Sequence, residues 1–171
     1  FWHEDGRFWN DPVSYTKQPV QCFLMYYLTD TTRVNGCLRL IPGSHLNRHP
    51  ILEKIASLHT HENRKYENPN APEFSYLEDE LDVFVKAGDL VMGYGSLLHA
   101  AHANQTDNRR TCLTMWYYPD FVSLPERTQA TVKKAEVGHS FSTDGEYAAD
   151  LDKDLIKRQT LLKPLKIVYN G

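Results

Sequence analysis

Residues 88–110 constrain this chain more than any other stretch: Gly-Asp-Leu-Val-Met-Gly-Tyr-Gly-Ser-Leu-Leu-His-Ala-Ala-His-Ala-Asn-Gln-Thr-Asp-Asn-Arg-Arg. Gly88-Asp89 is a turn signal, and residues 90–94 form an apolar run of strand length. A short loop then presents His99, with His102 following close behind. Residues 104–108 are rich in Asn, Thr and Asp, whose side chains satisfy their own backbone in turns. Residues 110–118 return with Thr, Trp and Tyr, which suit a pleated, half-buried strand. The pattern predicts one hairpin, with an imidazole on one arm and the guanidinium of Arg109 or Arg110 close to it on the other. A neutral imidazole gives a lone pair to a metal, and a guanidinium forks onto a carboxylate. The pair therefore suits a metal beside an organic anion.

The complementary stretch opens the chain, Phe1-Trp2-His3-Glu4-Asp5. On a strand, His3 and Asp5 share one face while Glu4 points away. Joined by a histidine of the 88–110 stretch, they make two histidines and one carboxylate. That set is the facial triad of non-heme iron(II), which leaves coordination positions open. Trp2, Phe8 and Trp9 crowd the same segment. They suit a core strand and also suit the dry wall of an oxidising centre.

Elsewhere the chain reads as short strands between turns. Residues 20–28 are largely apolar, which predicts a strand buried on both faces. Asn35-Gly36 is a tight-turn pair, residues 37–41 form a short strand, and Pro42-Gly43 ends it. His45 follows that turn and is expected to be a turn residue rather than a ligand. Residues 46–87 are long and polar for a connection, which predicts a lid or binding insert. Within them, Ile51, Leu52, Ile55 and Leu58 fit a short amphipathic helix, and His59 and His61 sit in a polar run. Residues 81–85 alternate like an edge strand. Helices are expected near residues 125–134 and 150–162, inside a C-terminal extension over 123–171. About seven or eight strands with peripheral helices point to a β-sandwich or jelly roll in a single domain over residues 1–171.

Composition bears mainly on what is excluded. With 41% hydrophobic and 24% charged residues, the chain has the makings of a packed core. A net charge of −3 without a basic tract gives no electrostatic case for nucleic acid. No apolar run approaches the length of a membrane span. Cys22, Cys37 and Cys112 have no framework spacing and are expected to be buried thiols in a reducing, cytoplasmic setting. Oligomeric state is not legible.

Four motifs, in order, resemble the phytanoyl-CoA dioxygenase family of iron(II)- and 2-oxoglutarate-dependent oxygenases. They are Trp2-His3-Glu4-Asp5; Asn35-Gly36-Cys37-Leu38 through Pro42-Gly43-Ser44-His45; Gly88-Asp89 followed by His99; and Asn104, Asp107 and Arg110. The likeness runs over residues 1 to about 120. It implies a mostly β chain folded as a double-stranded β-helix, a jelly roll with iron at one mouth, here without the family's N-terminal portion. The resemblance also selects His99 over His102 as the distal ligand, and Arg110 over Arg109 as the anchor for the far carboxylate of 2-oxoglutarate. It places Met25 and Ala101 at co-substrate positions, where relatives often carry Trp and a Ser or Thr. Trp2 and Trp9 then fall near the substrate.

The implied activity is hydroxylation of a small organic molecule, with Fe(II) and dioxygen, as 2-oxoglutarate is decarboxylated to succinate. His3, Asp5 and His99 would hold the metal. The carboxylate of Asp5 argues against a halogenase, which needs that position free for chloride. Two other readings compete: a non-catalytic jelly-roll binding module, and a cupin-like zinc enzyme, in which Arg110 would have no evident task.

Overall fold

The computed structural model describes residues 1–5, 14–55 and 68–125. The chain divides into two units, residues 1–118 and 119–171. The described residues of the first are mostly β, with strands β1 (Cys22–Tyr27), β2 (Leu38–Leu40), β3 (Leu81–Val83), β4 (Leu90–Tyr94), β5 (His99–Ala101) and β6 (Cys112–Tyr117), a short α-helical turn, α1 (Ile51–Lys54), and 3-10 turns at Ser44–Leu46 and Pro72–Phe74. Of the second unit, the described part is a 3-10 turn, Phe121–Ser123, closed by the Leu124 N–H on the Phe121 carbonyl.

The strands form two antiparallel sheets, ordered β4-β1-β6 and β3-β2-β5. The expected hairpin over residues 88–118 is therefore not formed. β4 and β6 flank β1 on opposite sides, and β5 between them in sequence belongs to the other sheet. The reason lies after Gly95. The Leu98 carbonyl accepts from Ile41 N–H, and Leu98 N–H donates to Ser44 Oγ, so the turn after β2 captures the chain. His99 is thus the first residue of a strand, not a loop residue.

β1 is the central strand of its sheet but is not buried on both faces. Phe23 and Tyr27 are buried on one face, while Tyr26 on the other is 38% exposed. Beside Tyr26 and Leu24 on that outer face lie Leu90, Met92, Leu113 and Met115, all exposed. Apolar residues on both faces erased the alternation that would have revealed an open side. Gly93 allows the opposite face to pack. It lies across from Phe23, whose ring covers the place a Cβ would take.

The hydrophobic core gathers Trp2, Ile41, Ile51, Leu52, Ile55, Leu98 and Ala100, with Leu77 against it. The guanidinium of Arg39 lies 4.5 Å over the Trp2 ring and pairs with Glu80 at 3.1 Å, with both side chains buried. Within residues 46–87, α1 and Ile55 supply core, and β3 is an edge strand paired to β2. α1 is shorter than the periodicity suggested. Leu58, Trp9, His59, His61 and the C-terminal helices expected after residue 125 lie outside the described residues. Cys22 and Cys37 are buried and free as expected, whereas Cys112 is only half-buried. No helix among the described residues is long and apolar enough to cross a membrane.

Candidate metal site

His3 and His99 are tied together through their backbones. Each N–H donates to the other's carbonyl at 3.0 Å, so the first residues of the chain lie against β5. Asp5 is fixed beside them by its N–H on the Gly95 carbonyl, 2.8 Å away. The histidine side chains are oriented the same way. His3 Nδ1 lies 2.9 Å from the Phe1 carbonyl, and His99 Nδ1 lies 2.8 Å from that of Leu97. A carbonyl only accepts, so Nδ1 carries the hydrogen and Nε2 keeps its lone pair. This is how ligating imidazoles are usually held.

Both Nε2 atoms face Asp5. They lie 3.6 Å (His3) and 3.7 Å (His99) from its carboxylate oxygens. These distances are too long for hydrogen bonds. They are close to the roughly 3.0–3.6 Å that separates neighbouring donors sitting about 2.1 Å from one ion. The three ligand atoms all lie within 4.8 Å of one another. The Phe23 ring backs His99 at 4.8 Å between centroids, and Trp116 Nε1 donates to Asp5 Oδ2 at 2.8 Å. The donor set and its spacing fit a divalent ion held on one side.

A second grouping, Cys37, Asp82 and His102, shows the contrast. There His102 Nε2 and Asp82 Oδ1 are 2.6 Å apart, a hydrogen bond, and Arg33 Nε donates to Asp82 Oδ2 at 2.8 Å. Burial alone would raise the Asp82 pKa, but the hydrogen bonds from Arg33 and His102 together pull it below the ordinary carboxylate value. This is a closed polar network with no gap for an ion, and His102 is committed to it. Burial pushes the Cys37 thiol up to about 11, which leaves it protonated.

Glu4 faces away from the site, as alternation predicts. It is fully buried, and Tyr15 donates its hydroxyl to the carboxylate, 3.1 and 3.0 Å from the two oxygens. Burial raises its pKa to about 7.

Arg110 is half-buried and Arg109 exposed. The Arg110 guanidinium lies 3.9 Å from Cys112 Sγ and 3.5 Å from where a Cβ on Gly36 would stand. Gly36 has φ of +91°, and a side chain there would also meet the His102 carbonyl at 2.8 Å, so glycine serves the turn and clears the space beside Arg110. Tyr27, opposite Cys112, has its phenol pushed up to about 12 by burial, with the Arg110 charge opposing. Its hydroxyl lies 3.8 Å from Met25 Sδ. Met25 and Thr114 are paired on the same face, between the Phe23–Trp116 pair and the Tyr27–Cys112 pair. Ala101 shares its face of β5 with His99 and is half-buried.

Trp2 does not line the site. It is fully buried in the core, with Nε1 donating to the Ser75 carbonyl at 2.8 Å, and has no surface left for a substrate. Trp9 lies outside the described residues. Sequence reasoning missed Trp116, Phe23 and Tyr27. The signal for Trp116 was its even spacing from Arg110, which puts both on one face of a strand.

Residues 1–112 match the phytanoyl-CoA dioxygenase (PhyH) family. The chain is 35% identical over 116 residues to phytanoyl-CoA dioxygenase 1 of Oryza sativa subsp. japonica, covering 66% of this chain and 36% of that protein. It is 31% identical over 109 residues to a phytanoyl-CoA dioxygenase of Arabidopsis thaliana, covering 63% and 34% respectively. The chain thus spans about a third of the length of these relatives. Among solved structures it is similar to HygX from Streptomyces hygroscopicus with nickel and 2-oxoglutarate bound, at 24% identity and a TM-score of 0.46, over 60% of this chain and 37% of that one.

Proposed function

The chain belongs to the phytanoyl-CoA dioxygenase family, and from that membership we propose that it is an iron(II)- and 2-oxoglutarate-dependent dioxygenase that hydroxylates a small organic molecule. The two sheets are read as the halves of a double-stranded β-helix. The chemistry is assigned to residues preceding a C-terminal extension over 123–171. The observation that carries the reading is the convergence of both Nε2 atoms on the Asp5 carboxylate, with Arg110 further along the same sheet face.

In this reading, His3, Asp5 and His99 hold Fe(II) from one side. Bound together, iron, 2-oxoglutarate and dioxygen would supply the oxidising power, with 2-oxoglutarate converted to succinate and carbon dioxide. The chain's own part is placement. The backbone carbonyls of Phe1 and Leu97 fix the imidazoles, so no reorganisation is needed on binding. Arg110 would fork onto the distal carboxylate of 2-oxoglutarate, with the Met25–Thr114 pair on the same sheet face as Arg110's neighbour Cys112. Ala101 offers no hydroxyl to the co-substrate, so that contact is absent or comes from elsewhere in the pocket. Asp5 supplies one negative charge and fills the third protein position, which favours hydroxylation over halogenation. Three free thiols fit a reducing, cytoplasmic setting.

The test is an anaerobic titration of the protein with Fe(II) and 2-oxoglutarate, followed by the visible charge-transfer band of the chelate. The band should form at one equivalent of each and be absent from Asp5→Ala. A band of full strength in that variant refutes the assignment of the ligands.

A further inference from the structure

The cross-strand pair Phe23–Trp116 touches two of the three donors at once. Phe23 on β1 packs its ring on His99, while Trp116, directly opposite on β6, donates its indole N–H to Asp5 Oδ2 at 2.8 Å. No other side-chain hydrogen bond to Asp5 is found among the described residues. Burial is not what holds Trp116 in place, since the residue is 47% exposed. Its fixed feature is the hydrogen bond, from a group that can only donate to an acceptor that carries charge.

We propose that Trp116 is a positioning residue for the metal: by holding Oδ2, it sets the rotation of the Asp5 carboxylate and leaves Oδ1 as the oxygen offered to the ion. The inference rests on the metal-site reading above. A carboxylate turns easily about its last torsion, whose wells are broad. Both oxygens of Asp5 lie near an imidazole, Oδ1 near His3 and Oδ2 near His99, so the imidazoles alone do not choose between them. The indole N–H breaks that symmetry. It also draws charge onto Oδ2, which disfavours chelation by both oxygens and keeps positions open for other ligands. β1 and β6 belong to the sheet that does not contain β5, so one cross-strand pair reaches Asp5 and His99 together from the other sheet.

Metal binding tests this without turnover. Metal-free protein is titrated with Mn(II) by calorimetry for wild type, Trp116→Phe and Asp5→Ala, with the thermal midpoint of each metal-free form measured alongside. Trp116→Phe keeps an aromatic ring and removes the donor. It should weaken Mn(II) by roughly 10–100-fold, the usual effect of losing a group that orients a ligand, while the metal-free midpoint stays near wild type. If wild type and Asp5→Ala bind Mn(II) alike, the metal-site reading fails and this inference with it. If Asp5→Ala loses binding and Trp116→Phe binds as wild type does, the metal site stands and the role of Trp116 is refuted.

A second measurement on wild type guards against a variant that does not fold. The indole N–H resonance of Trp116, identified through its contacts to Phe23, should exchange slowly with solvent and shift at one equivalent of Zn(II). Rapid exchange and no shift, while the His3 and His99 resonances move, overturns the proposal.

Discussion

Replacing Gly93 with alanine would place a methyl group where the Phe23 ring now lies. The new Cβ would stand 2.3 Å from Phe23 Cζ, 2.7 Å from Cε1 and 2.9 Å from Cε2. Carbon contacts settle at about 3.5–4.0 Å, so the ring would have to retreat by more than ~1 Å. Gly93 is not among the glycines with positive φ, so its backbone suits alanine. Without the clash, the substitution would stabilise the fold by about 0.4–1 kcal/mol through the unfolded chain. Overpacking a filled site costs about 1–3 kcal/mol, which outweighs that gain. Phe23 is buried and its ring packs on that of His99, so its displacement disturbs the metal site. A net loss of ~1–2 kcal/mol lowers the melting temperature by roughly 2–8 °C in a chain of this size. Calorimetric melting of the metal-free protein, with a Mn(II) titration, reads both effects. The double variant Gly93→Ala, Phe23→Leu should recover part of the stability, giving a coupling energy between the two positions. A midpoint at or above wild type, with unchanged Mn(II) affinity, would refute the reasoning.

Arg110→Ala should raise the KM for 2-oxoglutarate far more than that for the prime substrate. Losing a hydrogen bond to a charged ligand costs on the order of 1.5–3 kcal/mol, or roughly 10–150-fold. Arg110→Lys should restore only part of it, because an ammonium cannot fork; the same phenotype from Arg109→Ala instead would show that the wrong guanidinium was chosen. Glu4→Gln should change how stability depends on pH. Burial raises the Glu4 pKa from 4.5 to about 7, so the folded state holds the proton more tightly than the unfolded one. The stability this contributes is fully present below pH 4.5 and is lost as pH rises towards 7. Glutamine does not titrate, so relative to wild type the variant should gain about 3 kcal/mol across that window in urea denaturation of metal-free protein. A difference that stays flat with pH would rule this out.

The donors on residues 1–5 were legible because period-two alternation decides them: His3 and Asp5 share a face, and Glu4 faces the other way into its bond with Tyr15. The same rule, carried one residue back, puts Trp2 on the face of Glu4. Reading Trp2 as a wall of the site was an error of application rather than of information. Strand partners were a different matter. The strand-forming character of residues 110–118 is local, but the choice of β1 over β5 is made by six cross-strand pairs far apart in sequence. A turn-rich segment between two strands cannot announce that it crosses from one sheet to another. The exposure of one face of β1 was hidden for a related reason, since that face carries Leu24 and Tyr26 where alternation would need polar residues.

Trp116 and Asp5 stand 111 positions apart, and the backbone bridge joins residues 3 and 99. The cost of closing such a loop grows only with the logarithm of its length, but it must be met before any contact at the site repays it. The opening segment should therefore dock late in folding, after both sheets exist to receive it. Among the described residues it is held by few backbone links, to the carbonyls of Glu73, Gly95 and His99. An ion shared by His3, Asp5 and His99 would act on the chain as a removable cross-link, much as a disulfide closing a long loop does. Removing the ion would then weaken the hold of residues 1–5 on β5 while leaving both sheets standing, so metal content and the His3–His99 bridge would rise and fall together.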